Sequence, residues 1–292
     1  MGANRTFRAL FGGKTMKLKR FFFAAAAALL VAGAPVSQQV HARAQFNLDD
    51  THENGRGVPQ DQAEAAKRYR KAAERGDAIA QTKLGRIYLL GQGVRKDDAE
   101  AVKWWRRGAE QGVADAQFSI GAMYESGRGV PQDQAEAVKW YRMAAEQGDS
   151  NAQNNLGGMY KNGKGVPQDH AEAMKWYRMA AEQGFARAQN NLGGMYKRGE
   201  GVPRNYAEAV RWYRMAAGQG HAVAQNNLGV INAKGQGVPL DNVLAYMWFD
   251  LAAALNNEMA RKNRDISAKR MTPDQIVEAQ RLAREWMAMH QR

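Results

Sequence analysis

The 292-residue chain contains no cysteine, so it can form no disulfide, thiolate metal site or iron–sulfur cluster, and it has no cysteine nucleophile. Histidine is also scarce. The five histidines are scattered, with no H-E-x-x-H pair and no carboxylate at ligand spacing beside them. A Ser-x-x-Lys nucleophile motif is missing as well. We therefore predict no metal, no cofactor and no enzymatic activity.

Acidic residues are missing from residues 1–42, whose basic residues contribute nearly half of the formal net charge of +13. In the remainder, Glu and Asp alternate with Lys and Arg. That mixture is typical of solvated helix faces and differs from the continuous basic stripe that nucleic acid requires. We predict no nucleic-acid partner.

The longest apolar run, Phe21 to Ala34, is shorter than the ~20 residues of a membrane-spanning helix. It follows the basic stretch that ends at Arg20, and the small residues Ala42 and Ala44 come after it, as in a secretory signal. We predict a signal peptide over 1–42, with cleavage near 42–44 and Met16 as the true start. The mature chain would be periplasmic or secreted, without stable membrane insertion. The alternatives are an uncleaved anchor and a buried helix of the fold.

A repeat governs the rest of the chain. Gly-Val-Pro begins at Gly57, Gly129, Gly165, Gly201 and Gly237, and a variant begins at Gly93; all lie in one register of 36 residues. A fixed period of this length is typical of a solenoid of helix pairs.

One unit shows why each half should be helical. Leu156, Met159 and Tyr160 fall on one face of a first helix, which Gly163 can end in a left-handed conformation. Asp169, followed three residues later by Glu172, predicts a capping box that starts a second helix.

Gly157 is costly inside a helix, by about 1 kcal/mol relative to Ala. We expect its missing side chain to admit the ring of Trp176 or Tyr177 from the second helix.

These motifs resemble the Sel1-like repeat family, a relative of the tetratricopeptide repeat. The resemblance implies an all-α fold, an α/α superhelical solenoid of about six helix pairs over residues 44–260, with the first helices lining its concave face. Family members look like adaptors in signalling and envelope functions. A cysteine-rich branch is associated with β-lactam binding or hydrolysis, but the absence of cysteine argues against that activity here.

The period is lost after Asn256. Pro273 predicts a helix start, and Ile276, Ala279, Leu282 and Trp286 form one apolar stripe. We interpret residues 261–292 as a C-terminal capping helix; a basic amphipathic membrane helix is the alternative.

The candidate site lies on the first helices, on the side opposite Leu156. Polar residues recur there in register and could bind an extended peptide, with the lysines favouring an acidic one: Asn154, Asn155, Lys161, Asn190, Asn191, Lys197, Asn226 and Asn227. The alternative is that the asparagines record repeat duplication and satisfy neighbouring groups.

These observations predict an exported adaptor that binds a protein or peptide partner through its concave face, in envelope signalling or cell-wall assembly. The alternatives are a cell-wall or β-lactam hydrolase and a secreted factor that acts on a host protein.

Overall fold

A computed structural model describes residues 59–290, and within them the chain forms thirteen α-helices and no β-strand. The predicted signal peptide and the predicted start of the solenoid at residue 44 lie outside the described residues. In chain order the helices are α1 (Pro59–Glu74), α2 (Ala78–Leu90), α3 (Asp98–Glu110), α4 (Ala114–Ser126), α5 (Gln134–Glu146), α6 (Ser150–Asn162), α7 (His170–Glu182), α8 (Ala186–Arg198), α9 (Tyr206–Gly218), α10 (Ala222–Lys234), α11 (Asn242–Ala254), α12 (Glu258–Ala268) and α13 (Pro273–His290).

The helices alternate between two kinds. The first helices are α2, α4, α6, α8, α10 and α12, and the second helices are α1, α3, α5, α7, α9 and α11. From α2 to α10, each first helix packs against the second helices on both sides of it in the chain, and α12 packs against α11. The first helices start 36 residues apart. The predicted all-α solenoid of helix pairs is confirmed.

Side-chain caps set where the helices begin. The Asp149 carboxylate accepts a hydrogen bond of 2.7 Å from the Ala152 N–H at the start of α6. Gly163 then ends α6 in the left-handed conformation, with φ of 65°. Asp169 starts α7 by accepting from the N–H groups of Ala171 and Glu172.

The predicted capping box is only half formed. The backbone N–H of Asp169 donates to the Tyr160 carbonyl of the preceding helix, so it is not available to Glu172. Glu172 accepts instead from Lys175 at 3.3 Å, one turn further along α7. The tight turn between the helices therefore replaces the reciprocal half of the box.

Gly157 has the packing role that the sequence predicts, and its partner is Tyr177. A Cβ at Gly157 would lie 2.9 Å from Tyr177 Cδ1, which is closer than van der Waals contact allows. Trp176 points elsewhere, into a core cluster with Leu156 and Met159 of α6 and with residues of α5. The two rings thus have different neighbours: Tyr177 lies against Gly157 and joins a core cluster with residues of α8, whereas Trp176 joins the cluster that includes residues of α5.

Buried glutamines join successive repeats by a double hydrogen bond. Gln153 donates Nε2 to the Ala145 carbonyl at 3.0 Å, and its Oε1 accepts from Gln183 Nε2 at 2.7 Å. The same arrangement is centred on Gln81, Gln117 and Gln189. Each of these glutamines thereby connects the end of one second helix to the end of the next.

The C-terminal end corrects the predicted loss of the period. Asn257 caps α12 by accepting from the Ala260 N–H at 2.9 Å, and α12 begins 36 residues after α10. One more first helix is therefore present, and it spans the predicted boundary at residue 261.

The capping helix of the predicted fold is α13. It begins at Pro273, and its stripe is buried at Ala279, Leu282, Ala283 and Trp286. Trp286 packs edge-on against Trp248 of α11 with ring centroids 5.6 Å apart. The helix thus covers apolar surface that the last second helix would otherwise expose to water.

Candidate protein-binding face on the first helices

Six asparagines and two lysines of the predicted site lie on α6, α8 and α10. The structure brings the asparagines of neighbouring helices into contact: Asn191 donates to Asn154 Oδ1 at 3.0 Å, and Asn227 donates to Asn190 Oδ1 at 3.0 Å. We call this row of contacts the asparagine ladder. It fixes the register of adjacent first helices by a hydrogen bond between side chains.

The ladder has a further rung that the sequence analysis missed. Asn263 of α12 donates to Asn226 Oδ1 at 2.9 Å. The signal was available, because Asn263 lies 36 residues after Asn227. The repeat motifs fade after Asn256, which hides this position in the sequence.

Most of the hydrogen-bonding capacity of Asn154 is used inside the protein. It is buried, with 6% of its surface exposed, and its Oδ1 already accepts from Asn191. The other ladder residues and Asn155 are half-buried. Since a carboxamide carries two donors and an acceptor with two lone pairs, Asn190 and Asn191 keep groups that a ligand could use.

The small residues along this face differ in how open they are. A Cβ at Gly158 would meet only the Tyr177 hydroxyl, at 3.4 Å. The space beside Gly194 is occupied by the Arg198 guanidinium, 3.2 Å from the position of such a Cβ.

The lysines of the site have different electrostatic surroundings. Lys161 Nζ lies 3.6 Å from Glu200 Oε2, and Arg198 donates to the same carboxylate at 2.9 Å. The hydrogen bond from Arg198 holds the pKa of Glu200 below its usual value. Glu200 is thus shared by two cations.

Lys197 has no ion pair among residues 61–290. Burial lowers the pKa of its ammonium group, and the neighbouring charges of Arg198 and Lys234 lower it further. A half-buried cation beside two other cations is stabilised by any anion that reaches it.

The charge on this face of the first helices changes sign along the chain. Glu125 of α4 occupies the position that Lys161 has one repeat later, and it accepts a hydrogen bond of 2.7 Å from the Tyr141 hydroxyl. Burial, together with this carboxylate, raises the pKa of Tyr141. Tyr213 likewise has its pKa raised to about 12, chiefly by burial. Both phenols stay protonated at neutral pH, and that of Tyr141 donates to Glu125.

Between residues 59 and 290, no three His, Asp or Glu side chains come together as a metal site would require.

The Sel1 repeat model matches six consecutive segments, 42–77, 78–113, 114–149, 150–185, 186–221 and 222–257. The chain belongs to the Sel1 repeat family. Sel1 repeats generally mediate contacts between proteins and form a non-catalytic scaffold. Within the described residues, the matched segments that begin at 78, 114, 150, 186 and 222 each start where a first helix starts.

A Sel1 repeat protein from Oxalobacter formigenes is 33% identical, with a TM-score of 0.69 over 79% of this chain and 92% of that one. The protein c5321, a protective antigen of uropathogenic Escherichia coli strains with an SLR fold, is 27% identical over 86% of this chain and 85% of its own, with a TM-score of 0.35. No curated protein matches the chain.

Proposed function

We propose that this Sel1 repeat protein is an exported adaptor, periplasmic or secreted, that binds an acidic segment of an envelope protein across the face formed by α6, α8 and α10. Residues 16–44 support export, because they combine a basic start, an apolar run and small residues. Between Pro59 and His290, no helix has both the length and the apolarity of a bilayer crossing.

The observation that carries the proposal is the unpaired, half-buried Lys197. Burying a cation without a partner costs free energy, which an interacting carboxylate would recover. Arg198 and Lys234 add positive charge nearby, and Arg198 is paired with Glu200. The free carboxamide groups of the asparagine ladder can bond the backbone of the same segment. The chemistry therefore favours an extended acidic peptide.

The first test measures binding of a fluorescent dodecapeptide of alternating glutamate and alanine by anisotropy, with a glutamine version as the uncharged control. Lys197→Glu should weaken binding of the acidic peptide about tenfold or more, and added salt should weaken it further. Lys139→Glu is the matched control, because Lys139 lies on α5 with its side chain 70% exposed. Equal losses in the two variants would mean that only net charge matters and would refute the assignment of this face.

The partner can be sought by crosslinking the mature chain, starting at Gln45, in an envelope extract. The expected result is one enriched protein whose crosslinks map to α6, α8 or α10. Crosslinks confined to the second helices would contradict the proposal.

A further inference from the structure

The last glutamine of the repeat series differs from the others. Gln225 donates Nε2 to the Ala217 carbonyl at 3.3 Å, as its equivalents do. Its Oε1 is buried and has no hydrogen-bond partner among the described residues. The reason is visible in the sequence: Leu255 stands 30 residues later, where the preceding repeats have the glutamine that donates, Gln219 being the nearest example.

The residue that carries the unpaired acceptor lines a cavity. The cavity has a volume of about 270 Å³ and lies between the end of α9, helix α11 and helix α13. Leu251 and Leu255 form one side, and Trp286, Met287 and His290 form another. Gln225, only 1% exposed, is also among the lining residues.

Residues that depart from the repeat pattern line this cavity. Gly218 stands where the four preceding second helices have glutamate, and a Cβ at Gly218 would lie 3.8 Å from the His290 ring. The His290 ring stacks on Trp286 with centroids 4.0 Å apart. A larger residue at 218 would crowd the end of α13.

We propose that this cavity binds a ligand whose carboxamide N–H donates to Gln225 Oε1 and whose body is apolar or aromatic. A buried acceptor without a donor is costly, so a ligand that supplies one gains more than contact area. The donor in the four preceding repeats is itself a carboxamide, at 2.7 to 2.8 Å from the equivalent Oε1. The aromatic and aliphatic wall suits the rest of such a molecule. The carboxamide can come from a free amide or from a glutamine side chain of a partner segment.

The test compares benzamide with acetophenone, which has a similar shape but no N–H, by calorimetric titration of the full chain. We expect benzamide to bind about tenfold more tightly, the factor for one hydrogen bond to a buried group. Leu255→Gln restores the donor of the other repeats and should abolish binding of benzamide. Leu255→Met, which keeps an apolar residue without a donor, should retain it. Thermal unfolding checks that both variants remain folded.

Two peptides distinguish the two sources of the carboxamide, a free amide and a glutamine side chain. They are the methyl ester of acetyl-Leu-Gln-Leu and its counterpart with methionine in place of glutamine. Tighter binding of the glutamine peptide than of benzamide identifies a partner segment, and the reverse identifies a free amide. Equal affinity for benzamide and acetophenone would overturn the proposal, as would undiminished binding to Leu255→Gln. Failure of both benzamide and the glutamine peptide to bind would overturn it too. None of these outcomes depends on the face around Lys197.

Discussion

Two neighbouring glycines of α6 allow packing to be measured against helix propensity. Gly157 and Gly158 are both in the helix interior, so replacing either by alanine should gain about 1 kcal/mol of helix propensity. Only the first has a ring against it. A Cβ at Gly157 would lie 2.9, 3.0 and 3.1 Å from three carbon atoms of Tyr177, whereas a Cβ at Gly158 would meet only the hydroxyl, at 3.4 Å.

The expected free energies follow from these contacts. Overpacking a rigid core side chain costs about 1 to 3 kcal/mol. Gly157→Ala should therefore range from neutral to destabilising by about 2 kcal/mol, and Gly158→Ala should stabilise by up to about 1 kcal/mol. Both variants gain the same helix propensity, so subtracting one change in the free energy of unfolding from the other leaves the cost of the clash at Gly157, about 1 to 3 kcal/mol.

The assay is urea unfolding of the full chain followed by circular dichroism, with the slope compared between variants because a solenoid can unfold in steps. In a Tyr177→Leu background the ring is absent, so Gly157→Ala should become as favourable as Gly158→Ala. The reasoning is refuted if Gly157→Ala stabilises the protein with Tyr177 present.

Two further predictions concern the stability contributed by hydrogen bonds, one at the His221 helix cap and one at the Gln153 side chain. The Nδ1 of His221 accepts from the Ala224 N–H at 3.2 Å, and burial lowers the pKa of His221 below its usual 6.5. The unfolded chain therefore takes up the proton first as the pH falls. Stability should be full above about pH 6.5, decline as the pH falls below that value, and level off once the pH is below the folded pKa; His221→Asp should remove this step in pH-dependent melts. Gln153→Leu should cost about 1 to 3 kcal/mol in urea unfolding, because it removes the hydrogen bonds of this buried side chain with the Ala145 carbonyl and with Gln183; an unchanged free energy of unfolding would contradict a linking role.

The sequence predicted much of the fold, because the repeat carries the same local instructions in each copy. Asp169 and Gly163 are helix caps that act within a few residues, and they work as expected. Gly157 was correctly matched to a ring from its register alone. The capping box failed at Glu172, since the pattern does not reveal that the Tyr160 carbonyl already binds the N–H of Asp169.

The candidate site was predicted less fully. The residues themselves were found, but side chains 37 positions apart, such as Asn154 and Asn191, meet only after two repeats have stacked. Whether an asparagine faces a ligand or a neighbouring helix is a question of that stacking. The electrostatic difference between Lys161 and Lys197 likewise depends on Glu200, which a turn places beside one of them.

The sequence by itself determined the helix pairs, their 36-residue spacing and the family, because caps, glycines and apolar periodicity are local and recur in register. The tertiary structure alone decided which polar groups were used and which were left over. Gln153 has Gln183 as its hydrogen-bond partner, whereas the Oε1 of Gln225 has none among the described residues. Contacts between elements far apart in the chain set this difference. A local pattern contains no information on that pairing until the repeats are packed together.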